Sequence, residues 1–229
     1  MARPQRRLVQ RQLVVLARWP APGRCKRRLA ASCGSASGAA AVQRALTAHT
    51  LAVARDGTAR AGAELWLAAD GLGARARRRW SQALGGVACG PQGGGGLGIR
   101  LQRQWLRAFG NGAEQVVLIG SDLPQLEAAD LAAAFEALEQ RPLVLGPAAD
   151  GGYWLIGLNR DGFVRAGARL MAGMPWGGAQ VLKRTLAAAA AIGLEAQLLR
   201  RQSDLDQRAD LAPWQGRMRQ PRTLRSGTA

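Results

Sequence analysis

The sequence predicts an α/β fold in which a mostly parallel sheet is covered by helices on both faces. Short apolar runs alternate with longer segments of helical periodicity, which is typical of βαβ units. The strongest runs are apolar without interruption, as strands buried on both faces require. No internal repeat or linker divides the chain, so we expect one domain over residues 12–212 between basic tails at 1–11 and 213–229.

The predicted elements follow one another along the chain. Strands are expected at 12–17, 64–69, 115–120, 143–146 and 153–158, with weaker strands at 87–89 and 197–199. Helices are expected at 36–54, 73–84, 97–109, 128–139 and 178–191, and a further helix opens with the basic residues 24–28. In the helix at 97–109 the apolar face is formed by Leu97, Leu101, Trp105 and Ala108.

Composition excludes several classes of protein. His49 is the single histidine, which rules out multi-histidine metal sites and zinc fingers, and it is interpreted as a packed or solvated helix residue. Three cysteines without a CxxC pair suit a reducing compartment. The apolar stretch at 13–17 is too short for a membrane span or a signal peptide. We therefore expect a cytoplasmic protein.

The net charge of +17 comes from 32 basic and 15 acidic residues, and 48% of the residues are apolar, which is ample for a core. Only Lys26 and Lys183 are lysines, so the excess is carried by arginine. Arginine enrichment beside alanine and glycine also results from coding bias. The charge by itself is therefore weak evidence for nucleic-acid binding.

Ligands of open α/β sheets bind beyond the carboxyl ends of the strands, so the segments that follow strands are the candidate sites. After the first strand, Gly23 permits close approach of a ligand, and Arg24, Lys26, Arg27 and Arg28 open a helix. Cations there oppose the helix dipole, and a bound phosphate would relieve that conflict. A solvated basic turn is the alternative.

Two further segments carry acids. Asp122 follows the strand at 115–120 and suits Mg²⁺ or Mn²⁺, whereas Glu127 is the better candidate for the helix N-cap. Residues 150–153, Asp-Gly-Gly-Tyr, form either a hairpin turn or a backbone approach to substrate. Near the end of the chain, Asp204 or Asp206 is a candidate metal ligand, and Asp210 is a candidate cap or surface ion-pair partner.

Two features between these segments are weaker signals. Gly93–Gly96 is interpreted as a mobile loop that either contacts a ligand or merely connects two elements. Arg100, Arg103 and Arg107 form a basic stripe that is typical of the solvated side of a helix. Arg100 is nevertheless retained as a candidate nucleotide- or phosphate-binding residue.

Six motifs, in order over about residues 12–212, resemble a bacterial glycosyltransferase family associated with arsenosugar biosynthesis or selenodomain proteins. They are LVVLARWPAPGRCKRRLA, GGLGIRLQRQW, VVLIGSDLPQL, VLGPAADGGYWLIGL, MPW and DLDQRADL. The resemblance implies a Rossmann-like GT-A domain, a three-layer α/β/α sandwich of the nucleotide-diphospho-sugar transferase superfamily. It also implies a nucleotide-sugar donor, a small-molecule acceptor and a divalent metal, Mg²⁺ or Mn²⁺.

Residue roles follow from the same resemblance. Nucleotide or phosphate binding is implied for Arg18, Gly23, Lys26 and Arg28, and substrate binding for Gly151, Gly152, Tyr153 and Trp176. Asp122 and Asp206 are the implied metal ligands, and Asp150 and Asp122 the candidate catalytic residues. At Arg27 and Gly177 the chain differs from the residues usual in the family.

The sequence is compatible with three functions. Metal-dependent glycosyl transfer from a nucleoside diphosphate sugar leads, with Asp150 activating the acceptor hydroxyl. A guanylyl- or cytidylyltransferase acting on a phosphorylated small molecule is the alternative. A nucleic-acid-binding module is a second alternative, and against it stands the lack of any helix-turn-helix, zinc-finger or RRM signature.

Overall fold

The computed structural model describes residues 10–167 and 169–214, and within them seven strands form one sheet. The strands are β1 (Arg11–Arg18), β2 (Glu64–Asp70), β3 (Cys89–Pro91), β4 (Gln115–Ile119), β5 (Leu143–Pro147), β6 (Tyr153–Asn159) and β7 (Ala196–Leu198). Their order across the sheet is β3-β2-β1-β4-β6-β5-β7. The predicted tails lie almost entirely outside the described residues, although Arg11 already belongs to β1.

Helices cover both faces of this sheet. They are α1 (Arg27–Cys33), α2 (Ala36–Ala61), α3 (Ala74–Ala83), α4 (Leu97–Gly110), α5 (Ala128–Gln140), α6 (Arg160–Ala166) and α7 (Val181–Ala190), followed by a 3₁₀ helix at Arg208–Trp214. The predicted α/β class and the mostly parallel sheet are confirmed.

One strand runs against the others. β6 is antiparallel to both of its neighbours, β4 and β5, whereas the remaining pairs are parallel. Residues 148–152 therefore connect two antiparallel strands, as the hairpin alternative required. Because β1 pairs with β2 on one side and β4 on the other, the loops after these three strands meet at one edge of the sheet.

The core divides into two layers, one on each face of the sheet. On one face Leu13 and Val15 of β1 pack with Leu51 of α2 and Phe135 of α5. On the other face Val14 packs in the same layer as α4, whose Trp105 is fully buried. The alternation of β1 side chains follows the period of two of a strand. Each large side chain buried in this way contributes about 1.5–3 kcal/mol.

Several element boundaries differ from the prediction. α2 continues to Ala61 because its later turns pack on α5, where a Cβ at Gly57 would lie 2.8 Å from Leu131 Cδ1. β3 begins at Cys89 rather than 87, and α7 begins at Val181 rather than 178. α6 was not predicted. Its first turn is capped by Asn159 Oδ1, which accepts a hydrogen bond from Gly162 N over 2.9 Å.

The apolar face predicted for α4 is confirmed at Leu101, Trp105 and Ala108, and the interpretation fails at Leu97 and at the arginine stripe. Leu97 is 44% exposed and does not join the buried apolar face. The arginines of the stripe are not simply solvated. Arg107 stacks 4.0 Å from the centroid of the Trp66 ring and donates to Gln12 Oε1 over 2.6 Å. Burial lowers the pKa of Arg107 to about 10. The sequence pattern cannot show that β1 and β2 provide partners for this face.

The structure also bears on the predictions made for individual residues and for a membrane span. His49 is buried, in agreement with a packed helix residue, and Cys25, Cys33 and Cys89 are free thiols. Glu127 is the N-cap of α5, as predicted, and its N–H donates to Asp130 Oδ2 over 2.9 Å. Among the described residues no helix combines the length and the apolar character that crossing a bilayer would need.

Candidate functional site

The loop between β1 and α1 brings a lysine to the carboxyl edge of the sheet. Lys26 occupies the N-cap position of α1 with φ 45° and ψ 48°, in the left-handed region. Of the described residues other than glycine, it alone has a positive φ. Gly23, with φ 74°, turns the same loop. Such a conformation is uncommon without glycine and is kept only where the surroundings fix it.

The Lys26 ammonium is fixed by three oxygens. Its Nζ lies 2.9 Å from Asp122 Oδ2, 3.2 Å from Asp206 Oδ1 and 2.5 Å from the Leu205 carbonyl oxygen. The side chain is only 2% exposed. Arg28 reaches the second oxygen of Asp206 more loosely, at 3.4 Å from Nη1. The structure thus brings together Lys26, Arg28, Asp122 and Asp206, four of the residues predicted from sequence.

Asp122 has a further partner that the sequence analysis missed. Gln43, buried in α2, donates from Nε2 to Asp122 Oδ1 over 3.1 Å and to Ser121 Oγ over 3.2 Å. The Asp122 carbonyl oxygen accepts from Leu205 N over 3.1 Å. In the sequence, Gln43 stands out only because it is a polar residue beside the apolar helix positions Val42 and Leu46.

The C-terminal acids, left open by the sequence, have separate positions. Asp206 contacts Lys26, whereas Asp204 lies near three other carboxylates. Burial raises the pKa of Asp204 to about 7, and the charges of Asp122, Asp150 and Asp206 act in the same direction. Asp210 is a cap, since its Oδ2 accepts from the backbone N–H groups of Asp206 and Gln207.

A second polar group lies at the ends of β1 and β2. Asp70 Oδ2 is 3.1 Å from Arg18 Nε and 2.8 Å from Arg100 Nη1. Burial would raise the pKa of Asp70, but Arg100 and Arg18 outweigh it and the pKa is lowered. The adjoining cleft of about 300 Å³ is lined by Arg18, Trp19, Gly23, Arg24, Arg27, Asp70 and Gly71. Arg18 and Gly23 thus face this cleft, whereas Lys26 and Arg28 reach Asp206.

The glycine loop before α4 is bound by arginines of that helix. Arg103 Nη1 donates to the carbonyl oxygens of Gln92 and Gly94, and Arg100 Nε donates to that of Gly95 over 2.9 Å. Gln92 is buried and donates to backbone oxygens of Ala17 in β1 and Ala68 in β2. These contacts hold Gly93–Gly96 against the edge of the sheet.

The hairpin between β5 and β6 positions Asp150. Its Oδ1 accepts a hydrogen bond from Gly152 N over 2.9 Å. Gly151 has φ 88°, and a Cβ there would lie 2.0 Å from the carbonyl oxygen of Ala179. The backbone of this turn therefore packs directly on the segment that precedes α7.

Two of the predicted substrate residues lie beside this hairpin. The rings of Tyr153 and Trp176 meet edge to face, with centroids 6.2 Å apart and an interplanar angle of 84°. Burial raises the pKa of the Tyr153 hydroxyl. The aromatic pair therefore forms a wall next to the Asp150 turn.

Asp122 and Asp206 are the carboxylates that could hold a divalent cation. Among the described residues no group of three or more His, Cys, Asp or Glu side chains is arranged to hold a metal. Mg²⁺ is usually held by one or two carboxylates together with substrate phosphates. Asp122 and Asp206, about 40% exposed, are oxygen donors that both contact the buried Lys26 ammonium. This donor set fits Mg²⁺ or Mn²⁺ when a diphosphate supplies the remaining oxygens.

Several solved structures share the fold of this chain. A candidate nucleotide-diphospho-sugar transferase from Desulfovibrio desulfuricans G20 is 30% identical, with a TM-score of 0.77 over 88% of this chain and 84% of that one. The manganese complex of Rv0371c from Mycobacterium tuberculosis H37Rv is 23% identical, with a TM-score of 0.53 over 90% and 97% of the two chains. At that identity the likeness shows the fold alone.

Cytidylyl-type enzymes share the fold at still lower identity. A CMP:2-keto-3-deoxy-manno-octonic acid synthetase, solved with CTP, is 15% identical with a TM-score of 0.55 over 88% and 95% of the two chains. The 4-diphosphocytidyl-2C-methyl-D-erythritol synthase of Anaerococcus prevotii DSM 20548 is 8% identical with a TM-score of 0.57 over 90% and 96%.

The comparison with sequence families gives a direct match. No curated protein matches the chain significantly. The model of the family described as "Uncharacterized protein conserved in bacteria (DUF2064)" matches residues 50–178, more than half of the chain. That match includes Asp70, Arg100, Asp122 and the Asp150 hairpin, and the chain is a member of the DUF2064 family.

Proposed function

We propose that the protein is a glycosyltransferase that uses a nucleoside diphosphate sugar and a divalent cation, Mg²⁺ or Mn²⁺. The observation that carries the proposal is that Asp122 and Asp206 both lie within hydrogen-bonding distance of the Lys26 ammonium, where β1 and β4 end. The edge where parallel strands end is where open α/β folds bind ligands. Oxygen donors for a cation and a basic group for phosphate are both present there.

Asp122 and Asp206 would hold the cation, which supplies neutralisation of the leaving diphosphate. Lys26 and Arg28, from the adjacent turn of the chain, would share that negative charge. Arg18, Gly23 and Arg100 would bind the nucleotide at the β1–β2 end, where the cleft of about 300 Å³ opens. In this arrangement the nucleotide would lie at the ends of β1 and β2, and the diphosphate would lie at Lys26 and Arg28.

The Asp150 hairpin would serve the sugar and the acceptor. The acceptor hydroxyl oxygen forms the new bond to the sugar carbon as the bond from that carbon to the diphosphate breaks, and Asp150 accepts the hydroxyl proton. Gly151 and Gly152, which form the turn that holds Asp150, would lie beside the substrate, and Tyr153 with Trp176 would provide an apolar wall. The charge of Asp150 acts on Asp204, as do the charges of Asp122 and Asp206, which supports a place for the hairpin near the proposed cation site.

Two similar structures and the sequence motifs support this proposal. One relative at 30% identity is a candidate nucleotide-diphospho-sugar transferase, and one structure of the same fold contains manganese. The resemblance of the motifs to the arsenosugar-biosynthesis and selenodomain-associated glycosyltransferases points to the same donor class.

A nucleotidyltransferase is the second candidate function. It is favoured by the fold shared with two cytidylyl-type enzymes, and it would join a nucleoside triphosphate to a phosphorylated small molecule with release of pyrophosphate. The same acidic and basic groups would serve either reaction, so the two functions are distinguished by which class of substrate the protein uses.

Calorimetric titration with UDP-, GDP- and dTDP-sugars, with and without Mn²⁺, tests the proposal. We expect one donor to bind only with metal, and the Asp122→Ala variant to lose that dependence. The Asp161→Ala variant, which removes an exposed surface acid, is the matched control. Absence of binding by every sugar nucleotide would contradict the proposal, and pyrophosphate release from CTP or GTP with a phosphorylated acceptor would favour the second candidate.

A further inference from the structure

The environment of Lys26 is that of a bound cation. A lysine ammonium has three N–H donors and no acceptor. The structure gives it three oxygens, one from each of Asp122, Asp206 and the Leu205 backbone, at 2.5–3.2 Å. Its side chain is 98% buried, and the two carboxylates are about 40% exposed. The positive charge is therefore enclosed, while outer parts of both carboxylates stay open to solvent.

The backbone of Lys26 is strained in order to place this charge. A non-glycine residue in the left-handed region costs on the order of 1–2 kcal/mol. No side-chain cap closes α1 at this point. The contacts of the ammonium are thus the interactions that compensate for the conformation, and they join the N-terminal loop to the segment at Leu205–Asp206.

We infer that the Lys26 ammonium is the resident counter-ion of the Asp122–Asp206 pair, and that a divalent cation must displace it in order to bind. The inference rests on the proposed function and specifies how its cation site is filled. The carboxylate oxygens that face Lys26 cannot serve both cations, and a unit charge at this distance opposes a second positive charge. Displacement leaves three oxygen donors, the ligand type that Mg²⁺ and Mn²⁺ prefer.

Coupled binding follows from this exchange. The displaced ammonium needs an anion, and a diphosphate offers one next to the cation. Metal alone should therefore bind weakly, and inorganic diphosphate should tighten its binding. By linkage, the metal should tighten the binding of diphosphate by the same factor.

Titration of Mn²⁺ by electron paramagnetic resonance, without nucleotide, tests the exchange. We expect Lys26→Met to bind Mn²⁺ at least tenfold more tightly than the wild type. Lys183→Met, which removes the only other lysine and a surface charge, should leave the affinity within about twofold. Equal or weaker Mn²⁺ binding by a folded Lys26→Met protein would overturn the inference.

A measurement on the wild type covers the case in which Lys26→Met does not fold. With only two lysines, acetylation by acetic anhydride can be followed at each by mass spectrometry. Without metal, Lys26 should react much more slowly than Lys183. Saturating Mn²⁺ should raise the rate at Lys26 several-fold, and adding inorganic diphosphate should lower it again. A rate at Lys26 that Mn²⁺ leaves unchanged or reduces would also overturn the inference.

The exchange and the proposed function fail in different ways. If Lys26→Met gains Mn²⁺ affinity but no sugar nucleotide binds, the exchange stands and the glycosyltransferase proposal falls. If a sugar nucleotide binds with metal but neither the variant nor the labelling shows exchange, the inference falls and the proposed function stands.

Discussion

Gln43 Nε2 donates a hydrogen bond to Asp122 Oδ1 over 3.1 Å, which links the second helix to the acid that ends β4. The same nitrogen lies 3.2 Å from Ser121 Oγ and 3.4 Å from Thr47 Oγ1. While this bond holds one oxygen of Asp122, the other contacts Lys26. Gln43 therefore acts as a positioning residue for the carboxylate.

Replacing Gln43 by leucine should weaken metal-dependent binding of the donor. The variant leaves Asp122 without this donor, and loss of such a hydrogen bond costs about 1–2 kcal/mol, roughly a tenfold change in affinity. Gln43→Glu should weaken it further, since a carboxylate would repel Asp122. Calorimetry with donor and Mn²⁺ measures the affinities. Arg44→Ala, an exposed neighbour on α2, is the control, and an unchanged affinity in Gln43→Glu would contradict this role.

Asp70 should stabilise the protein in a pH-dependent way. The Asp70 carboxyl has a lower pKa in the folded state than its unfolded value of about 4. Its contribution to the free energy of unfolding is therefore present above the unfolded pKa and is lost as the pH falls through the lower folded pKa. Asp70→Asn should cost about 1–2 kcal/mol at neutral pH and progressively less in acid. Urea unfolding over a pH series measures this difference.

The control for Asp70 is an exposed pair of the same chemistry. Asp161 lies 3.1 Å from Arg165 within one helix, and its side chain is 62% exposed. Asp161→Asn should change stability by less than about 0.5 kcal/mol. If Asp70→Asn cost no more than this at neutral pH, the two arginines would not stabilise the Asp70 carboxylate as inferred.

Gly151 should not tolerate a side chain. A Cβ would come within 2.0 Å of the Ala179 carbonyl oxygen, at a backbone φ of 88°. Gly177 has a similar φ of 82° but no atom within 4 Å, so it isolates the conformational cost. We expect Gly177→Ala to lose about 1 kcal/mol and Gly151→Ala roughly 2–4 kcal/mol, by thermal or urea unfolding. Similar losses in both variants would show that the turn can move away from Ala179.

The buried carboxylate of Asp130 should anchor the segment that leads to the site. Asp130 is 8% exposed and pairs with the Arg200 guanidinium, while Gln202 Nε2 donates to it over 3.1 Å. Hydrogen bonding by Asp130 raises the pKa of Arg200. Asp130 is buried, but the Arg200 side chain is 44% exposed and stays solvated when its partner is removed, so Asp130→Ala should cost about 1–3 kcal/mol.

The control for Asp130 is Glu195, which pairs with Arg141 at the surface and is 72% exposed. Glu195→Ala should change the free energy of unfolding by less than about 0.5 kcal/mol. Faster proteolysis of the segment at 203–206 in Asp130→Ala, with Glu195→Ala unaffected, would show that the anchor extends to the site. A loss below 1 kcal/mol in Asp130→Ala would contradict it.

Periodicity was sufficient to predict the α/β class and most element positions. Continuous apolar runs such as 12–17 and 115–120 are local properties, because a strand buried on both faces must be apolar at every position. The strands at the two edges of the sheet were harder to predict, because β3 and β7 are only three residues long and show little hydrophobic pattern. The antiparallel direction of β6 depends on the hairpin at 148–152, whose residues equally suited a substrate loop.

The residue types at the candidate site were also evident in the sequence, because acids that follow strands are few in so basic a chain. Their partners were not. Lys26 and Arg28 contact Asp206 almost at the other end of the chain, and Gln43 reaches Asp122 from a helix that shows no motif. Arg100, placed on a solvated stripe, instead holds Asp70.

The sequence by itself thus determined which strands are buried and which loops carry charge, since both depend on local residue order. Only the tertiary structure decided which charges meet. The parallel pairing of β1 with β4 sets their loops side by side, and the hydrogen bond from Leu205 N to Asp122 O adds the C-terminal segment. The ion pairs of Lys26 depend on that packing, because electrostatic energy follows distance in space and not separation along the chain.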